Sequence, residues 1–312
     1  MKTSRTSAKT LVAVAAGMVA ALSSIGLSAQ TITPITSTAG IVTTLSNAVL
    51  AAGSGISVVA GSGSYQGTNS ASFQQSATYT GFNLAPTSGS SPTLTLADGI
   101  LLTSGSAVLP KTNTLNQFSS NSGSGSNAAL GALSASAGGT SDTNDANVLS
   151  FNFNVAAGIT SVSAQFVFGT DEFPTQSVTD IFGFFVDGVN FAKFSSGELI
   201  SNTAGNPTNF ISNPVGAGLY GIEYNGLTQV FTVTGILGAA NADGSHSLSI
   251  GIADTSDTIF DSGVFIASLQ AGTATGGGGV VPGIPEPETY ALMLAGLVAM
   301  GAVARRRGRK AA

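Results

Sequence analysis

Cysteine and tryptophan are absent from all 312 residues, and histidine occurs once, at His246. Without cysteine there is no disulfide, no thiolate nucleophile and no cysteine-ligated zinc. A single histidine excludes a histidine-clustered metal site. Charge is nearly as scarce, at 8% of residues, and its placement is uneven. Three of the ten Lys and Arg lie in the first nine residues and five in the last eight, which leaves Lys111 and Lys193 between them. Thirteen acidic residues share that middle stretch, so it carries −11 where the whole chain shows −5. Such a body repels nucleic-acid phosphates, which excludes nucleic acid as a partner, and it attracts cations or stays soluble by self-repulsion.

Long apolar runs are confined to the two ends. At the start, Lys2, Arg5 and Lys9 precede an apolar stretch at 11–22 and a small-residue stretch ending at Ala29. That order is a secretory signal peptide, expected over 1–29. At the other end, residues 289–304 are uncharged and mostly apolar, and Arg305, Arg306, Arg307, Arg309 and Lys310 follow. As a helix this segment would reach about 24 Å, short against a hydrocarbon core of roughly 30 Å. Snorkelling basic side chains stretch a short span, and the positive-inside tendency places this tail in the cytoplasm. A transmembrane helix is therefore expected at 289–304, with the body outside the inner membrane.

The order Pro285-Glu286-Pro287, apolar span, arginine cluster at the chain end resembles the PEP-CTERM sorting signal, over 285–310. The resemblance implies an exosortase partner in the bacterial inner membrane that reads Pro285, Glu286 and Pro287 and cuts near them, with Arg305, Arg306 and Arg307 as the flanking basic motif. It also implies transient anchoring in the inner membrane, then a place at the cell surface or outside the cell. The prolines keep this stretch out of a helix. The Gly-rich residues 272–284 read as a flexible linker.

Between the signals, 30–271 reads as one domain. In "NVLSFNFNV" Leu149, Phe151, Phe153 and Val155 alternate with Ser150, Asn152 and Asn154, a half-buried strand. "SVSAQFVFG" repeats the pattern, whereas "DIFGFFVDG" is apolar on both faces and reads as a covered strand. "LADGILLTSG" reads as two strands around an Asp98-Gly99 turn, 31–52 as the segment most compatible with a helix, and the low-complexity stretch 119–144 as a long loop. Turn-bounded strands without amphipathic helices between them point to an all-β protein, an antiparallel β-sandwich or jelly roll.

The series "GSGISVV", "LADGILLTSGSA", "DTNDANVLSFNFNV", "FVFGTDEFP", "DIFGFFVDGVNFA", "YNGLTQVFTV" and "DTSDTIFDSGVFIASL" resembles the choice-of-anchor L domain over about 41–271. That family joins a shared extracellular domain to varied surface anchors, and it carries no reaction to transfer.

Acidic residues gather at strand ends: Asp142 and Asp145 before one strand, Asp171 and Glu172 after the next, Asp180 before a third, and Asp254, Asp257 and Asp261 between the last two. Loops at one end of a sandwich converge, and carboxylates there repel unless a hard cation neutralises them. Ca²⁺ takes six to eight oxygens, so it is the candidate cofactor, with Asn144 as a neutral ligand. The competing account is that Asp and Asn favour turns. Catalysis has little support. His246 reads as a surface turn residue, there is no G-x-S-x-G elbow, and Asp171 and Glu172, as strand neighbours, would point to opposite faces. The expected function is a structural or adhesive surface role. The alternative is an exopolysaccharide-binding module with Tyr65, Tyr79, Tyr220 and Tyr224 as its stacking platform; a secreted hydrolase is the third.

Overall fold

A computed structural model describes residues 30–174, 180–201, 207–216 and 218–283. The expected signal peptide, the Pro285-Glu286-Pro287 motif, the span at 289–304 and the arginine cluster lie outside the described residues. Among the described residues no helix is long and apolar enough to cross a membrane.

The chain begins with β1 (Thr31–Pro34), α1 (Ile41–Val49), β2 (Ile56–Val58), β3 (Ser64–Gln66), β4 (Ser76–Thr80), β5 (Asn83–Leu84), β6 (Leu94–Thr95) and β7 (Gly99–Thr103). It continues through α2 (Ala128–Ser136), β8 (Thr143–Val155), β9 (Ser161–Thr170), β10 (Ile181–Val186) and β11 (Val189–Asn190). Last come β12 (Phe210–Ser212), β13 (Gly226–Thr228), β14 (Phe231–Ile236), β15 (His246–Thr255), β16 (Ser262–Gly272) and β17 (Gly279–Pro282). A nine-stranded sheet runs β1-β4-β7-β16-β9-β13-β12, with β14 also on β9 and β17 on β14. A six-stranded sheet runs β11-β10-β15-β8-β2, with β3 also on β8. Every strand pairing within them is antiparallel, as the alternating patterns predicted.

The inner faces of the two sheets make one core. Phe166 and Phe168 of β9, Ile100 of β7 and Val264 of β16 meet Phe151 of β8, Phe182 and Phe184 of β10 and Ile250 of β15. Phe166 and Phe182, one from each sheet, have ring centroids 5.2 Å apart. With no disulfide available, cohesion between the sheets rests on this burial, about 1.5–3 kcal/mol for each large apolar side chain.

Both outer faces are also covered in part. Over the large sheet, Tyr79, Phe265 and Val167 pack against Leu94 of β6 and Phe82, Phe118, Tyr220 and Tyr224 of the intervening loops. Over the small sheet, Leu130 of α2 packs on Val148, Ile181 and Ala253. This is why β10 is apolar on both faces.

Three expectations need correction. Residues 119–144 are not simply a loop, because α2 lies within them. Its start is fixed by Asn127, whose side chain accepts hydrogen bonds from the Ala129 and Leu130 amides. Ala, Gly and Ser around a single buried leucine give it no apolar stripe to read. The Asp98-Gly99 pair makes no hairpin: β6 pairs with β5, and β7 pairs with β4 and β16. Gly99 serves close packing instead, since a Cβ there would sit 2.1 Å from the Ile266 carbonyl oxygen. Finally, Tyr79, Tyr220 and Tyr224 are buried and Tyr65 is half-buried, so they form no stacking platform. β17 occupies part of the stretch expected as linker, pairing Gly279–Pro282 with β14.

Candidate functional site

Strand register brings five strand ends to one edge of the sandwich. Thr170 at the end of β9 faces Ser262 at the start of β16. Ile181 at the start of β10 faces Ala253 in β15, and Asp254 in β15 faces Asn144 in β8. Residues just beyond or within these ends therefore share one place: Asp145, Asp171, Glu172, Asp180, Asp254 and Asp261, all buried.

Backbone amides hold the outer members of the group. Asp145, at φ 50°, accepts from Ser122 N at 3.1 Å and Gly123 N at 2.8 Å. Asp171 Oδ2 accepts from Phe118 N at 2.6 Å, and Glu172 Oε2 from Asp180 N at 2.7 Å. Asp261 Oδ2 accepts from Ser120 Oγ at 2.9 Å. The inner members are poorly satisfied. Asp180 Oδ1, Asp171 Oδ1, Asp261 Oδ1 and both carboxyl oxygens of Asp254 have no hydrogen-bond partner, and neither has the Ser262 hydroxyl. A buried polar atom left unpaired costs about 1–3 kcal/mol, more if charged.

Burial pushes these carboxyls up. Asp171 and Asp261 each rise to about 7, chiefly by desolvation, with amide or hydroxyl donors opposing and neighbouring carboxylates adding to the rise. Glu172 rises to about 9, first by desolvation, then by repulsion from Asp254, Asp257 and Asp171 against the opposing Asp180 amide. Asp180 and Asp254 are driven well above the usual carboxylate range, chiefly by desolvation, with Glu172 and Asp261 adding to the rise at Asp180 and Asp180 adding to the rise at Asp254. No lysine or arginine of the body enters the cluster: Lys111 and Lys193 are both exposed.

The family model of the choice-of-anchor L domain matches residues 35–270, from the end of β1 to the end of β16. The chain belongs to the choice-of-anchor L family. The model of the PEP-CTERM protein-sorting motif matches residues 283–309, immediately after β17. No curated protein and no solved structure matches the chain. The motif marks proteins exported through the inner membrane and anchored there transiently on the way to the cell surface, and it implies processing by an exosortase. The choice-of-anchor L domain is thus the exported body, and the acidic cluster lies inside that domain.

Of the residues singled out from sequence, the domain gathers Asp145, Asp171, Glu172, Asp180, Asp254 and Asp261. Asp257 is half-buried and acts on Glu172. Asn144 is half-buried opposite Asp254. Asp142 stays exposed and reaches the group only through its backbone, accepting from Ser256 N at 2.9 Å. Asp171 and Glu172 lie past the end of β9, so they do not take opposite strand faces; both turn inward.

Sequence reasoning missed Glu223. Glu223 is buried, adds to the rise at Asp171, and accepts from Thr114 N at 3.0 Å and Leu115 N at 2.6 Å. The available signal was one carboxylate inside the aromatic run "LYGIEYNG". His246 opens β15 and is not a turn residue; its Nδ1 lies 2.8 Å from Asp187 Oδ2. The neighbouring Ser245 hydroxyl donates to Asp243 Oδ1 at 2.6 Å, so it is not poised as a nucleophile against that imidazole.

Proposed function

We propose that this chain is a non-catalytic structural or adhesive domain of the cell surface, delivered by exosortase cleavage near Pro285-Glu286-Pro287. The observation that carries the reading is the joining of a sorting motif at 283–309 to a body whose last strand ends at Pro282. The body is a rigid sandwich built around buried aromatic rings. Its acidic groups are buried among structural strands, whereas a hydrolase needs its carboxyl pair open to substrate and water. Delivery through the inner membrane supports the remaining expectations: a cleaved leader at 1–29, a span at 289–304, and arginines 305–307 holding its cytoplasmic end.

Replacing the motif (Pro285→Ala, Glu286→Ala and Pro287→Ala together) is expected to leave most of the chain as full-length precursor in the inner-membrane fraction. Immunoblots of fractionated cells and antibody labelling of intact cells read the result. Wild-type processing and surface signal in the triple variant would remove exosortase from the account. The exopolysaccharide reading loses its platform, because three of its four named tyrosines are buried.

A further inference from the structure

Inside the acidic edge, Asp180, just before β10, and Asp254, in β15, are both fully enclosed, with 1% and 0% of their surface exposed. The Asp254 carboxyl and the Ser262 hydroxyl adjoin Asp180, and Ser104 adjoins Asp254. Ser104 Oγ stands 3.4 Å from Asp180 Oδ2 and also accepts from Ser262 N at 3.0 Å. Both carboxyl oxygens of Asp254, one oxygen of Asp180 and the Ser262 hydroxyl make no well-aligned hydrogen bond, and the close approaches of Ser262 and Asp254 to Asp180 and of Ser104 to Asp254 offset only part of the cost of burial. Four buried oxygens around one point are thus left incompletely satisfied, three of them on acids.

We propose that this point is a Ca²⁺ site anchored by Asp180 and Asp254, with the Ser262 hydroxyl as a neutral ligand and Asp171, Glu172 and Asp261 as the surrounding carboxyls. The inference concerns the body alone and holds whichever surface receives it.

The donor set decides the metal class. It offers only oxygen, since cysteine is absent and the one histidine is engaged with Asp187. That excludes the sulfur- and nitrogen-rich shells of zinc and copper. Among the described residues no three acidic or imidazole side chains form a ready-made metal-binding group, so the anionic part of the shell is a pair and neutral oxygens complete it. Ca²⁺ accepts such irregular shells of carboxylate, hydroxyl, carbonyl and water oxygens, whereas Mg²⁺ demands a near-ideal octahedron. The body's two lysines are exposed, so an ion from solution is the positive charge available to this interior.

The test uses the full chain in detergent, stripped with EDTA and dialysed at pH 7.5. Adding 1 mM CaCl₂, about the working range of extracellular calcium modules, is expected to raise the melting midpoint by about 2–5 °C. Equilibrium dialysis with ⁴⁵Ca is expected to find saturable binding. Asp254→Asn keeps the side-chain shape but removes an anchor; it should abolish the calcium shift while leaving the EDTA-state midpoint equal or higher, because an amide needs no retained proton to stay neutral in this buried position. Asp142→Asn, outside the cluster, should keep the full shift. The proposal is overturned if wild type binds no ⁴⁵Ca, if its midpoint does not move, or if Asp254→Asn responds to calcium as wild type does. The dialysis result on wild type stands even if the Asp254 variant fails to fold.

Discussion

Truncating Phe166 to alanine should cost about 3–5 kcal/mol, the usual price of removing a buried aromatic ring. The ring has no exposed surface and sits between the sheets, 5.2 Å from Phe182 and stacked 5.9 Å from Phe231 by centroid distance. A domain's whole stability is typically about 5–15 kcal/mol, so this one change removes a large share of it. No disulfide holds the sheets if the rings are lost. Urea unfolding followed by tyrosine fluorescence would read the loss as a lower midpoint. Val281→Ala is the control, because Val281 is 51% exposed and surface truncations usually move stability by no more than about 0.5 kcal/mol. A Phe166→Ala loss below about 1 kcal/mol, less than the transfer term for a single ring, would mean that the two sheets do not meet through it.

In EDTA the protein should weaken as pH rises, the reverse of ordinary acid denaturation. Asp171 and Asp261 titrate at about 7 in the folded chain and Glu172 at about 9, while Asp180 and Asp254 are also raised. Unfolded carboxyls titrate near 4. Between roughly pH 4 and 7 for the first two, and up to about 9 for Glu172, the folded chain holds protons that the unfolded chain has released. Stability from these groups is fully present below the unfolded values and is lost as pH climbs through the folded ones. Each retained proton is worth about 1.4 kcal/mol per pH unit, so the melting midpoint should fall on the order of 10 °C from pH 5 to 7. Saturating calcium should flatten that decline. A midpoint that rises over this interval in EDTA would show that the cluster does not sit buried and uncompensated.

These acids also mark how far the sequence could be read. The alternation in 147–155 and 161–169 made β8 and β9 legible, because a half-buried strand writes its two faces into every second residue. The clustering of six acids was legible from their positions at strand ends, which a sandwich brings together. What stayed hidden depended on contacts across long separations. Glu223 lies far along the chain from Asp171, and only the β9–β13 pairing of Thr170 with Gly226 brings the two segments side by side. Tyr79, Tyr220 and Tyr224 looked available for ligand because their neighbours are polar, yet loops over the large sheet enclose them. Asp142 looks like Asp145 in sequence, but only the latter turns inward, and the difference is a left-handed backbone at Asp145.

The last strand has a mechanical consequence. β17 is held by four residue pairs to β14 on one side and by a hydrogen bond from Val280 N to Lys193 O at 3.0 Å, whereas β16 is clasped by neighbours on both sides. A pull on the tail while it is still tethered would reach β17 first. Peeling it back to Gly272 would pay out roughly 35 Å of slack before the sandwich itself bore load. The strand would act as a fuse, and single-molecule stretching from the C-terminus should record a small yielding step of that length ahead of the main rupture; a trace with one rupture only would count against it.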